Sequence, residues 1–204
     1  MPCTREIRHI VALSAIAACV PGCEPAVAYC PTAETARNGF VLAGEPRRVE
    51  VQPSKDDTLT LNLIAGSKLQ STSTYYKGYL LTGIVTGSGT VSTVSYDFDY
   101  RKDPPFAEGY HRAYHMRVAP TSGNATTLSV EATIVGRERV TVGDCALDTL
   151  VIEARTDYAD GSVQTRRAHF SPLLRTFVRA TFTNGNAPPS TMVFDRIEPL
   201  AQSR

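Results

Sequence analysis

Val140–Phe182, VTVGDCALDTLVIEARTDYADGSVQTRRAHFSPLLRTFVRATF, reads as strands joined by sharp reversals. Successive side chains of a strand point to opposite faces. Leu150, Ile152, Ala154 and Tyr158 therefore share one face, and Thr149, Val151, Glu153, Arg155 and Asp157 share the other. Ala159-Asp160-Gly161-Ser162 follows, and its Asp-Gly pair suits a tight hairpin because Gly takes positive φ without a Cβ clash. The chain reverses into Val163–Phe170, breaks at Ser171-Pro172 and reverses again into Thr176–Thr183. That pattern is a β-meander.

Working outward, the same alternation recurs. Arg47–Gln52 (RRVEVQ) and Thr58–Leu63 (TLTLNL) flank the polar Lys55-Asp56-Asp57 and read as a hairpin. Thr74–Thr86 (TYYKGYLLTGIVT) reads as one long strand, with bulges or bends at Gly78 and Gly83. Thr90–Tyr100 alternates after Gly87-Ser88-Gly89, and Arg101–Gly109, with Pro104-Pro105, is the longest loop. Tyr110–Val118, Thr127–Val135, Arg139–Val142 and Met192–Ile197 supply further strands. Helical character is confined to Thr32–Arg37, with Thr32 as N-cap and Asn38-Gly39 as stop, and to the Pro172–Arg175 turn. About ten short strands separated by turn signals predict an all-β, predominantly antiparallel single domain over residues 29–204. It forms either a curved half-barrel or a sandwich.

Residues 1–28 are expected to be a signal peptide. Arg5 and Arg8 precede the apolar Ile10–Val20, Pro21 and Pro25 break it, and Ala26-Val27-Ala28 gives a small-x-small cleavage pattern before Tyr29. The apolar run is shorter than the ~20 residues a transmembrane helix needs. The alternative is a lipoprotein signal over residues 1–18, since Ile16-Ala17-Ala18-Cys19 resembles a lipobox that would place a lipid anchor on Cys19. Either way the mature chain is expected outside the cytoplasm, in the periplasm, secreted or held at a membrane surface. Cleavage after Ala28 leaves Cys30 and Cys145, an even pair that an oxidising compartment would join as a disulfide.

A net charge of +1 gives no electrostatic footprint for nucleic acid or an anionic membrane. No phosphate-cradling glycine loop and no Gly-x-Ser-x-Gly elbow occurs. His111 and His115 have the spacing of a helical zinc pair, but the second residue of that motif, Glu, is missing and the context is a strand. There, residues four apart lie roughly 13 Å from each other. Asp97 and Asp99 share one face of YDFDY, the wet side of a half-buried strand on the simplest reading. A hydrolase would have to assemble Asp97, Asp99 and His169 in one cleft. No cofactor is expected.

Asp148–Glu153 (DTLVIE), the Asp160-Gly161 hairpin, Phe170-Ser171-Pro172 and Thr176–Arg179 together resemble a segment of uncharacterised exported proteins of proteobacteria. Those proteins look like the curved antiparallel half-barrel of the lipoprotein-localisation factors, whose concave face can hold acyl chains. The resemblance implies architecture and compartment, and it transfers no functional residue. Phe170 stands where that pattern more often has Trp or Tyr.

The expectation for function is a non-enzymatic cell-envelope protein. It would bind a lipid or other apolar molecule, or an envelope partner, on a concave sheet face, with the aromatic and aliphatic residues of Tyr75–Val85, Tyr79 and Leu81 foremost, and Tyr114, Met116, Leu150 and Ile152 as candidate groove residues. The alternative is a structural or interaction module in which those same side chains interdigitate as a dry core.

Overall fold

A computed structural model describes residues 29–54, 56–104 and 106–201. The expected signal segment, residues 1–28, and Cys19 within it lie outside the described residues. A 3₁₀ turn, Thr35–Asn38, precedes thirteen strands: β1 Phe40–Gly44, β2 Arg47–Pro53, β3 Thr58–Ala65, β4 Lys68–Tyr76, β5 Leu80–Thr86, β6 Val91–Tyr96, β7 His111–Pro120, β8 Thr126–Val142, β9 Cys145–Asp157, β10 Val163–Ser171, β11 Thr176–Asn184, β12 Ser190–Met192 and β13 Arg196–Pro199. All pairings are antiparallel, and β1 to β12 follow chain order across one sheet. The last strand breaks that order, because β13 pairs with β1. The expected all-β antiparallel meander is what forms.

The two edges of this sheet are consecutive in sequence. A flat sheet of thirteen strands would be about 58 Å wide at a spacing of about 4.8 Å. Only Val193–Asp195 separates β12 from β13, and four Cα–Cα steps of about 3.8 Å reach about 15 Å. The sheet is therefore curled until its ends nearly meet. It is not closed by a ladder between β12 and β13; the Asp195 amide, which donates to Ala43 O at 2.7 Å, extends the β1–β13 pairing into the short bridge.

Several local expectations change. The segment Thr74–Thr86 is two strands, not one, because Lys77 (φ 52°) and Gly78 (φ 85°) both take positive φ and reverse the chain. A Cβ on Gly78 would stand 1.8 Å from Arg175 O, so only glycine lets these two turns meet. Gly83 does adjoin a bulge: the β4–β5 register shifts at Thr74/Tyr75. The segments Thr127–Val135 and Arg139–Val142 are one strand with a bulge beside Gly136. Met192–Ile197 is split between opposite edges. Thr32 caps no helix; the N-cap is Glu34, without a side-chain cap bond, while Thr32 and Thr35 bond each other.

The interior is filled in two clusters. Phe40, Leu42, Val49, Val51 and Leu59 pack with Leu174 and Val178 from the far side of the curl and with Val142, Cys145 and Leu147 of the β8–β9 tip. Tyr110, Ile134, Leu150, Ile152 and Phe170 make the second cluster. The Sγ atoms of Cys30 and Cys145 are 2.03 Å apart and their Cα atoms 5.4 Å apart, disulfide geometry that fastens the first described residues to the start of β9.

Candidate functional site

An up-and-down meander places alternate connections at alternate ends of the curled sheet. At one end they interlock. The Arg175 guanidinium donates to Asp57 O at 2.8 Å, so the β10–β11 and β2–β3 turns touch. The loop between β6 and β7 folds inward over the same end. The side chain of Asp103 is fully buried, with Arg112 Nε 2.8 Å from Oδ1. Its Oδ2 accepts from Tyr79 Oη and Tyr110 Oη, each at 3.1 Å. Lys77 Nζ donates to Asp103 O at 3.3 Å. Phe106 stacks on Tyr79 at 4.0 Å and meets Tyr110 and Phe170 edge-on. Burial, then the neighbouring Asp103 carboxylate, pushes the phenols of Tyr79 and Tyr110 far up from their ordinary value. This end is a plug.

The other end is open to a cleft between facing halves of the sheet. It has a volume of about 210 Å³ and is walled by Leu61, Leu63 and Tyr75 on one side and Phe177, Phe182 and Phe194 on the other, with Ser71, Ser73 and Met192 among the lining. One cation projects into it. Cross-strand partners share a face, and the row Arg112, Ala132, Ala154, Arg166, Phe182 runs along the inner face from β7 to β11. Arg112 has Asp103, and its guanidinium also lies 4.3 Å from the Phe98 ring. Arg166 is different. Its guanidinium lies 5.0 Å from the Phe177 ring, and its Nε is buried without a hydrogen-bond partner. Tyr75 is crowded enough that burial raises its phenol, a shift Arg166 partly offsets; Tyr114 responds in the same way.

A larger depression of about 560 Å³ lies on the outer face of β8–β11. It is open and polar, and two of its outward cations are partnered: Arg167 Nη1 is 2.6 Å from Glu153, and Arg155 Nη2 is 2.6 Å from Asp157. Arg166 borders this depression as well as the cleft, but its phase in β10 turns its side chain inward with Ala168 and Phe170. The inner cleft, with an unpartnered cation, is the better candidate site.

The fold separates the three residues a hydrolase would need. Asp97 accepts from the His115 ring Nδ1 at 2.9 Å, both exposed, and Asp99 caps the short turn after β6 by accepting from Arg101 N. His169, nearly buried on the outer face, pairs with Glu138 at 2.9 Å. Glu138 lies nine residues along β8 from Ser129, the partner of His115, which is roughly 30 Å at 3.3 Å per residue. His111 bonds Thr133, away from His115. Among the described residues no group of three metal-capable side chains forms, and no helix is long and apolar enough to cross a membrane.

Tyr79, Leu81, Tyr114, Met116, Leu150 and Ile152 do not line the inner cleft. Leu150 and Ile152, 2% and 1% exposed, are dry core. Tyr79 belongs to the plug. Tyr114 packs edge-on against Tyr96 and Phe98, and Met116 stands opposite Tyr96 across the β6–β7 ladder. Leu81 O accepts from Tyr96 Oη at 2.7 Å. Tyr75, expected among the groove aromatics, does line the cleft. Arg166 escaped notice because Arg-Arg in a strand suggests a wet face. The signal was its phase: Arg166 alternates with Ala168 and Phe170, both inward.

No protein-family model matches the chain, and no curated protein matches it. Among solved structures, the crystal structure of the hypothetical lipoprotein YmcC from Escherichia coli is similar over 79% of this chain and 86% of that one, at 12% identity and a TM-score of 0.47. A likeness that slight transfers no property of the bacterial protein to this chain.

Proposed function

We propose that this is a non-enzymatic cell-envelope protein that binds a molecule with an apolar tail in the cleft between the two halves of its curled sheet. The observation that carries the reading is the cleft itself. Leu61, Leu63, Phe177, Phe182, Met192 and Phe194 surround a space that the described residues leave unfilled, beside two clusters of buried apolar side chains. A 210 Å³ space is below the ~300 Å³ of a drug-sized pocket, which suits one slender apolar group rather than a lipid with several chains. The export signals of residues 1–28 and the Cys30–Cys145 geometry support an envelope location.

The test is binding of the neutral fluorophore N-phenylnaphthylamine to the purified protein. Saturable binding that is lost in Leu63→Asp while circular dichroism is retained is the expected result. Leu42→Asp, placed at a 1%-exposed core position, should instead unfold the chain. Absence of saturable binding to the folded wild type would reject the reading in favour of a ligand-free interaction module.

A further inference from the structure

We infer that the ligand of the inner cleft is a long-chain carboxylate, a fatty-acid-like monoanion whose head group pairs with Arg166. The inference rests on the reading of the cleft as an apolar binding site and adds the charge of the head group.

Arg166 is the starting point. A guanidinium does not lose its proton in a protein, so burial cannot neutralise it as it can a lysine or a carboxyl. An inward cation is costly unless paired, and its twin in the same cross-strand row, Arg112, is paired with a buried carboxylate. Among the described residues no carboxylate lies within ion-pair distance of Arg166. Its Nε is buried and unbonded, and the Phe177 ring is its nearest compensation. The cleft wall contains no Asp or Glu, so the missing negative charge is not supplied by the chain.

The rest of the lining narrows the class. One cation without a second Lys or Arg balances one negative charge, which a carboxylate presents and a dianionic phosphate exceeds. The planar fork of a guanidinium matches the two oxygens of a carboxylate in a bidentate pair. Ser71, Ser73 and Tyr75 place hydroxyl donors on the facing strand, β4, and burial keeps the Tyr75 phenol protonated. The remaining wall is aliphatic and aromatic and suits a hydrocarbon chain. Head and tail requirements therefore meet in one cavity: a single-tailed amphiphile with one negative charge.

The experiment measures displacement of N-phenylnaphthylamine at pH 8 by laurate, by dodecanol and by lauryl phosphate, for the wild type, Arg166→Gln and Arg166→Lys. Laurate is expected to bind the wild type at least tenfold more tightly than dodecanol, and more tightly than lauryl phosphate. Arg166→Gln should bring laurate to the level of dodecanol while leaving dodecanol unchanged. Arg166→Lys, which keeps the charge and loses the fork, should retain part of the preference and serves if the Gln variant does not fold. Equal binding of laurate and dodecanol by the wild type, or an undiminished laurate preference in Arg166→Gln, would overturn the carboxylate and leave the apolar site standing. Tighter binding of lauryl phosphate than of laurate would replace the carboxylate with a phosphate head group. Failure of the fluorophore to bind at all would remove the site itself.

Discussion

Met192 and Arg196 are four residues apart in sequence and stand on opposite edges of a thirteen-stranded sheet, Met192 opposite Ala180 and Arg196 opposite Ala43. This relationship curls the sheet and brings β4 to face β11, which creates the interior. A Cβ on Gly143 would lie 2.9 Å from Asp195 O, so the β8–β9 tip is wedged against the same short bridge. The closure and the disulfide-anchored tip thus support each other.

Replacing both Cys30 and Cys145 by Ala should destabilise the fold without changing its secondary structure. The cross-link spans 115 residues. The chain-entropy treatment gives about 4–5 kcal/mol for a loop of that length, and measured losses for native disulfides are commonly about 2–5 kcal/mol. Urea unfolding of the oxidised wild type and the double variant checks this. A difference under about 1 kcal/mol would mean that the packing of the tip, not the cross-link, holds it.

Asp103→Ala should cost about 3–5 kcal/mol, because it strands the Arg112 guanidinium and two phenols that a fully buried carboxylate now satisfies. A pH titration reports on the same interior. Burial raises Tyr75, Tyr79, Tyr96, Tyr110 and Tyr114, five of the nine tyrosines. For groups whose folded value is raised, the stability they contribute is present below the ordinary value of 10.0 and is lost as pH rises towards the folded value. Absorbance at alkaline pH should therefore show these phenols ionising together with unfolding, and at lower pH in Asp103→Ala. Smooth, reversible ionisation of all nine in a folded chain would contradict the buried network.

Acid should loosen the outer face. The hydrogen bond from His169, together with that from Arg167, holds the Glu138 carboxyl below its ordinary 4.5. A carboxyl depressed in the folded state favours folding above its unfolded value, and that contribution disappears as pH falls through the folded value. The melting temperature of the wild type should therefore fall more steeply than that of Glu138→Gln as pH drops below the ordinary 4.5. Identical acid profiles would show that the pair does not contribute to folding.

The sequence by itself determined the class of the fold and most of its strands. Alternation in Arg47–Gln52, Thr58–Leu63 and Asp148–Glu153 is a local property of the pleat, and Asp160-Gly161 and Ser171-Pro172 reverse the chain through their own backbone preferences. Parity after cleavage at Ala28 singles out Cys30 and Cys145, and the fold brings the two to disulfide distance. Which apolar residues line a space and which fill one was decided by tertiary structure alone. Leu150 and Leu61 look alike in a strand pattern, yet the curl buries one completely and sets the other on a cleft wall. The plug over Asp103 and the unpaired inward charge of Arg166 depend on which strands face each other across the interior. That is fixed by where the two sheet edges meet, a contact between residues whose local sequence holds no record of their partners.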